Sequence, residues 1–147
     1  MLRHPGGEKH SRYLIELSFL EKGAKYVNNY VILNPVGTLQ SAPTTYLNGE
    51  GASCIYNTIC LSHEGSEIDT GGTVIMNAPN TSAEIMSRSI NQGGNIIARG
   101  RLVGNCPGVK AHLECRSIVL KDGGITLAIP ELESSVADVE MTHEAAV

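Results

Sequence analysis

The sequence predicts an all-β chain that coils as a right-handed parallel β-helix with a 28-residue repeat. Turn-like pairs begin at residues 23, 51, 79, 107 and 135, and each interval is 28 residues (51 − 23, 79 − 51, 107 − 79, 135 − 107). A fixed period of roughly 20–50 residues is typical of solenoids. Sixteen glycines and six prolines in 147 residues indicate frequent turns, which favours many short strands.

This period divides the chain into repeats within a single domain that spans residues 1–147. Residues 1–22 are predicted to add an N-terminal strand that caps the coil, centred on residues 13–20. The repeats that follow are 23–50, 51–78, 79–106 and 107–134, with a partial repeat at 135–147. Because a solenoid that stops within a turn exposes its core, we expect a partner at that end or a longer parent protein.

The first strand of each repeat alternates between apolar or small residues and polar residues. The fifth position of the repeat reads Val27, Ile55, Ala83, Ala111 and Val139. The sixth reads Asn28, Tyr56, Glu84, His112 and Glu140. A period of two predicts a strand with one face toward a core, with equivalent residues of successive turns stacked about 4.8 Å apart.

A second strand is predicted in each repeat, and no stretch has a helical periodicity long enough for a crossover helix. The second strands are expected at residues 38–47, 70–77, 96–103 and 126–130. Parallel crossovers are right-handed in nearly all sheets, which is the basis for the predicted handedness.

The composition restricts the class of function. The formal net charge is −4, so the chain has no basic footprint for nucleic acid. No apolar run approaches the length of a membrane span, and the polar residues 1–9 do not resemble a secretion signal. The four cysteines of such a chain are expected to be free thiols in the cytoplasm. The sequence contains no CxxC pair, so a zinc site is not expected.

Cys115 and His143 are the most informative pair, because 143 − 115 = 28 predicts that they are neighbours on adjacent turns. A thiolate and an imidazole at that spacing can share a soft metal such as iron. Glu144 adjoins His143 but is expected to face the other way on a regular strand. The ordinary alternative is a buried cysteine, a satisfied histidine, and an ion pair between Glu144 and Arg116.

Charged residues form a second, weaker pattern. The third and fourth repeats are locally basic, and the end of the chain is acidic. Arg88, Arg116 and Glu140 are the candidates for a charged interface. Ion pairs between adjacent turns on a solvated surface are the simpler interpretation of the same residues.

Several short motifs in order resemble the core of the SufB/SufD family of iron–sulfur cluster assembly scaffolds. They are residues 69–71 (DTG), 78–82 (APNTS), 87–90 (SRSI), 98–103 (ARGRLV) and 142–145 (THEA). The resemblance runs from about Tyr13 onward and is strongest from Ile68 to the end. It implies a right-handed parallel β-helix, in agreement with the repeat.

The resemblance also implies a role for the pair. B-type subunits of the family carry a cysteine that matches Cys115 and a His-Glu pair that matches His143 and Glu144, near the junction with a second B- or D-type subunit. These three residues are therefore candidate ligands of a transient iron–sulfur cluster. D-type subunits have histidine at the cysteine position, so the chain is B-like there. The family's helical segment that docks a SufC-type ATPase has no counterpart in these 147 residues, which favours a fragment of a longer protein.

The leading expectation is thus a non-enzymatic scaffold that works with a second SufB/SufD-type subunit, as a homodimer, and with the ATPase in the full-length protein. The sequence leaves two alternatives open. A structural β-solenoid would bind partners without ever binding iron. A carbohydrate-active β-helix enzyme would require clustered acids and often aromatic platforms, whereas only 4% of the residues are aromatic.

Overall fold

The computed structural model describes residues 10–147, and among these every regular element is a β-strand. All strand-to-strand pairings are parallel. The chain forms a β-solenoid of about five turns, which confirms the predicted all-β parallel coil. Residues 1–9 lie outside the described part. The expectation about a secretion signal concerns these residues, and they also form the first part of the predicted 1–22 cap.

The strands stack into two sheets that face each other across the core. Sheet A contains β1 (Ser11–Leu14), β2 (Leu17–Leu20), β4 (Thr38–Ser41), β5 (Thr44–Leu47), β7 (Glu67–Met76), β9 (Asn95–Gly104) and β11 (Thr126–Ser134). Sheet B contains β3 (Lys25–Ile32), β6 (Ser53–His63), β8 (Ser82–Gln92), β10 (Val109–Lys121) and β12 (Val139–Ala146). Within residues 10–147 there is no helix that is long and apolar enough to cross a bilayer.

The predicted second strands are all present in sheet A, with two differences. The predicted strands at 13–20 and 38–47 are each interrupted, so they form β1 with β2 and β4 with β5. The predicted strand at 126–130 continues to Ser134 and includes Pro130. Pro130 is tolerated because β11 lies at the edge of sheet A, where one row of backbone groups has no strand partner.

A recurring turn position precedes each strand of sheet B. Gly23, Gly51, Asn80 and Gly108 all have positive φ, between 55° and 75°. The N–H groups of the first three donate to carbonyls at Glu50, Pro79 and Pro107. Glycine and asparagine adopt this backbone region at least cost, which explains why the residues recur. Their spacings are 28, 29 and 28 (51 − 23, 80 − 51, 108 − 80), so the repeat is not constant.

The extra residue in the second step changes which side chains face the core. Ser53 pairs with Ser82, an offset of 29, whereas the sequence interpretation assumed 28 throughout. A one-residue shift moves a side chain to the opposite face of its strand. Val27 and Ile55 therefore face outward, which corrects the prediction that they share the inner column with Ala83. The additional residue lies in turns, which accept insertions that a strand cannot.

The core lies between the inner faces of the two sheets and is built largely from aliphatic residues. Its fully buried members include Leu47, Val74, Met76, Leu102 and Leu113, each 0% exposed. Large side chains of sheet B meet glycines of sheet A. Tyr56 packs over Gly72, and Leu113 packs over Gly100. The contact of Leu113 with Gly100 fixes the distance between the sheets on the turn that carries Cys115.

Candidate functional site around Cys115

Cys115 lies on the inner face of β10, where it is 2% exposed. Its register partners are Ser87 on β8 and Ala145 on β12. Burial raises the pKa of the thiol, and the Glu114 carboxylate adds to this increase, while Arg88 opposes it. The protonated thiol is therefore the favoured form, and a metal ion that displaces the proton would have to compensate for desolvation.

The last turn is longer than the others, and this changes the register around Cys115. Val119 pairs with Asn91 at an offset of 28, but Lys121 pairs with Gln92 at 29. By the start of β11 the offset is 30, since Thr126 pairs with Ile96. The two additional residues lie at a bulge after Val119 and in the turn that follows it.

As a result, the predicted level pairing of Cys115 with His143 is wrong. His143 pairs with Leu113, and Cys115 pairs with Ala145. A shift of two residues preserves the face of the strand, so Cys115 and His143 are still both on the inner side of sheet B. At ~3.3 Å per residue and ~4.8 Å between strands, their Cα atoms are diagonal neighbours about 8 Å apart.

His143 and Glu144 differ from Cys115 in their surroundings. Both are exposed on β12, whereas Cys115 is buried one strand away. Glu144 accepts a hydrogen bond from Arg116 Nη2 at 3.2 Å on the outer face. Glu144 therefore points away from the thiol, as the alternation predicts. Of the three candidate ligands, the structure brings Cys115 and His143 to one face and leaves Glu144 on the other.

The charged candidates form ion pairs between adjacent turns, which confirms the simpler interpretation of that pattern. Arg88 Nη2 lies 3.1 Å from Glu114 Oε2. Lys110 Nζ lies 4.0 Å from Glu140 Oε2, with both side chains 74% exposed. The Lys110–Glu140 pair contributes little to stability because both side chains are largely exposed to solvent.

Glu114 is the residue of this region that the sequence interpretation did not identify. It lies on the outer face of β10 between Arg88 and Arg116, and its side chain is only 12% exposed. Arg116 Nε lies against Oε1 in an ion contact that does not have the geometry of a hydrogen bond, so Oε1 has no hydrogen-bond partner. The sequence signal that could have identified Glu114 is the pair of arginines at 88 and 116. They are 28 residues apart, so the repeat places them side by side, next to the Glu114 carboxylate.

The arginines make the Glu114 carboxylate a source of acid sensitivity. The hydrogen bond from Arg88 lowers the pKa of Glu114 below its ordinary value of 4.5, although desolvation opposes this. A carboxyl whose pKa is lower in the folded state stabilises the fold above its unfolded pKa, and the contribution is lost as pH falls through the folded pKa. We expect Glu114→Gln to reduce the loss of stability below pH 4.5. Urea unfolding of both proteins between pH 7 and pH 3 measures this.

The control for that experiment is Glu140→Gln, which removes an exposed carboxylate from β12. It should leave the pH dependence of the midpoint nearly unchanged. Equal pH profiles for wild type and Glu114→Gln would contradict the assigned role of Glu114.

The other thiols differ in accessibility. Cys54 and Cys60 are each 1% exposed on β6, and burial raises the pKa of both to about 11. Cys106 lies in a turn, is partly exposed, and donates from Sγ to the Asn77 carbonyl at 3.1 Å. All four cysteines are free.

We expect Cys106 to be the first thiol that iodoacetamide modifies at pH 8. At that pH a thiol with a pKa of about 11 is ionised to about one part in a thousand, and burial slows its reaction further. Peptide mass spectrometry after brief labelling measures the order of modification. Faster labelling of Cys54 or Cys60 would show that the core opens more readily than this packing indicates.

Within residues 10–147 the structure has no group of three or more histidine, cysteine and acidic side chains arranged to hold a metal ion. The residues that combine suitable chemistry with a shared face are Cys115 and His143. They offer one sulfur and one nitrogen, a donor pair that suits iron.

A cleft of about 150 Å³ opens between the sheets in the first turns, away from Cys115. Its polar lining includes Glu16, Asn28, Tyr30, Thr58 and Thr70. Tyr26 donates a hydrogen bond to Glu16 Oε1, which ties β3 to the segment between β1 and β2. The cleft has hydroxyl groups and one carboxylate and no histidine or thiol in its lining.

Comparison with known proteins places this chain in a family. The chain is 44% identical over 128 residues to an iron–sulfur cluster assembly SufBD family protein of Archaeoglobus fulgidus, with 87% of this chain and 34% of the relative covered. A similarly named protein of Methanothermobacter thermautotrophicus is 42% identical, with 84% and 30% covered. The iron–sulfur cluster assembly protein SufB of Bacillus subtilis is 33% identical, with 71% and 23% covered.

The chain spans about a third or less of the length of these relatives. Residues 15–147 match the family described as SUF system FeS cluster assembly, SufBD core domain. That match includes β12, both sheets from the end of β1 onward, and every candidate ligand. The chain therefore belongs to the SufBD core family of the SUF system for iron–sulfur cluster assembly.

Proposed function

We propose that the chain is the part of a SUF scaffold that holds a nascent iron–sulfur cluster near a subunit interface. Cys115 and His143 are the proposed ligands from this chain. The observation that carries the proposal is their common position on the inner face of adjacent strands β10 and β12, within a chain that belongs to the SufBD core family.

The chemistry of the pair fits a cluster that must later be released. Iron and sulfide are the cargo of such a scaffold, and iron–sulfur clusters that remain bound are commonly held by four thiolates. One thiolate with one imidazole is a weaker set, which favours transfer. The remaining ligands would come from a second subunit, or from Glu144 if β12 shifts so that this side chain leaves Arg116.

The proposed partners follow from the same site. His143 is exposed on β12, so a second SufB/SufD-type subunit could approach it, and we propose a homodimer through this end of the solenoid. A SufC-type ATPase would act on the full-length protein. The chain itself would have no catalytic activity and would work in the cytoplasm.

Anaerobic reconstitution of the chain with ferrous iron and sulfide tests the proposal. We expect visible absorption from sulfide-to-iron charge transfer, with iron and sulfide in equal amounts, in the fraction that elutes as a dimer. A chain that takes up neither iron nor sulfide under these conditions, alone or with added full-length relative, would refute the cluster-holding role. A cluster carried by the monomer would refute the interface while leaving the role intact.

A further inference from the structure

The end of β12 carries His143 and Glu144 but has little packing to hold it in place. Val139 and Met141, at the start of the strand, pack against the core, whereas residues 142–147 are all exposed. β12 is the last strand of sheet B, and β10 is its neighbour there. Edge segments without buried side chains open with free energies near zero. The position of His143 therefore depends on the backbone ladder to β10 and on side-chain contacts between the two strands.

Two polar side-chain contacts among the described residues join the end of β12 to β10, and both lie on the outer face of sheet B. His112 Nδ1 lies 2.8 Å from Thr142 Oγ1. Arg116 Nη2 donates a hydrogen bond to Glu144 Oε1 at 3.2 Å. The two contacts precede and follow His143 along the chain, so together they fix its level on the strand.

Arg116 is oriented by a second carboxylate as well as by Glu144. Its Nε lies against Glu114 Oε1, and Arg88 Nη2 lies 3.1 Å from the other oxygen of Glu114. The Glu114 side chain is 12% exposed, whereas that of Glu144 is 54% exposed. The contacts thus link β8, β10 and β12 in series. An isolated exposed ion pair contributes little, but an arginine that is already oriented by a network loses less side-chain entropy when it pairs.

We propose that Arg116 is a positioning residue for the cluster. Oriented by Glu114, it holds Glu144 on the outer face of β12. Because successive side chains of a strand face opposite ways, His143 is then directed to the inner face, which it shares with Cys115. Arg116 lies on the opposite face of the sheet and does not contact iron or sulfide. The consequence for the cluster rests on the proposed function, whereas the effect on β12 is a property of the empty chain.

Hydrogen–deuterium exchange of the chain without iron tests the effect on β12. In Arg116→Gln the amides of residues 142–146 should exchange about threefold faster than in the wild type, because one networked ion pair is lost. Glu144→Ala removes the same bond from the other side and should give a similar increase. The two changes combined should add little to either alone, because both remove one interaction. Glu144→Ala retains the contact of Arg116 with Glu114, so it decides the test if circular dichroism shows that Arg116→Gln disturbs the fold.

Lys110→Gln is the matched control for the exchange measurement. Lys110 is another cation on the outer face of β10, and its Nζ lies 4.0 Å from Glu140 Oε2 on β12. Because that pair precedes residues 142–146 and is largely exposed to solvent, its loss should leave their exchange unchanged.

The nitrogen signal of the reduced cluster tests the consequence for His143. Pulsed electron paramagnetic resonance detects the nitrogen of an imidazole bound to iron, and His143→Ala identifies the signal by its loss. After anaerobic reconstitution, Arg116→Gln should show about half the wild-type signal per cluster, because a threefold shift changes the major state of a segment that opens near zero free energy. A merely structural role of Arg116 would lower the amount of cluster and leave the signal per cluster unchanged.

Unchanged exchange at residues 142–146 in both Arg116→Gln and Glu144→Ala overturns the proposal, whether or not a cluster forms. A full nitrogen signal per cluster in Arg116→Gln overturns it as well. Failure of the proposed function gives a different result, because the wild-type chain then forms no cluster or His143→Ala keeps the nitrogen signal. Faster exchange in the variants would in that case leave Arg116 as a residue that stabilises β12 and positions no ligand.

Discussion

Replacement of Cys115 by alanine is expected to abolish the cluster absorption that reconstitution gives in the wild-type chain. Cys115 is the cysteine nearest β12 on the inner face, and the other two buried cysteines lie two strands away on β6. No other described thiol can take its place without a change of register. The measurement is the absorption spectrum with iron and sulfide analysis after anaerobic reconstitution.

Cys106→Ala is the matched control for that experiment. Cys106 is the more accessible thiol and lies in a turn outside the strands, so its loss should leave the cluster intact. The Cys115→Ala chain should remain folded, since loss of one buried sulfur costs about 1 kcal/mol. Equal cluster content in Cys115→Ala and wild type would remove Cys115 from the ligand set.

Introduction of alanine at Gly100 is expected to destabilise the chain by about 1–3 kcal/mol, because the core there has no room for a methyl group. A Cβ at Gly100 would lie 2.3 Å from Leu113 Cδ1 and 2.9 Å from Cγ. Leu113 is fully buried and supports the position of β12 beside it. Leu113→Ala alone should cost about 2–5 kcal/mol through the cavity it leaves.

The double variant tests whether these two effects have a common origin. With Leu113 shortened, the methyl group at position 100 occupies vacated space, so the double variant should be more stable than the sum of the single effects predicts, by about 0.5–3 kcal/mol. Chemical denaturation of the four proteins gives this coupling energy. Gly104→Ala is the control on the same strand, because its Cβ would lie at an ordinary 3.4 Å from the nearest side chains. Equal stability of Gly100→Ala and Gly104→Ala would contradict the packing.

The general architecture could be predicted because two periods are visible in the residues themselves. The turn residues near 23, 51 and 108 are those that positive φ requires, and the alternation of strands such as β8 and β10 reports one buried face. The Arg116–Glu144 ion pair and the outward direction of Glu144 also followed from alternation.

The details of the site could not be predicted in the same way. Turns accept one or two extra residues at little cost, and each such residue moves every later residue relative to its neighbour. Because of this, Ile55 faces outward and His143 lies beside Leu113. Burial of Glu114 between Arg88 and Arg116 involves no inserted residue, because β8 and β10 keep the 28-residue offset there. It depends on side-chain packing across two strands, so the composition of β10 alone does not reveal it.

The sequence by itself determined that this chain is a parallel β-solenoid and that Cys115, His143 and Glu144 lie on neighbouring turns. Only the tertiary structure decided the level at which these residues meet. Strand character is encoded locally in side-chain alternation, whereas register is the sum of all intervening turn lengths and is settled when the two sheets pack. The diagonal relation of Cys115 to His143 is a consequence of that packing.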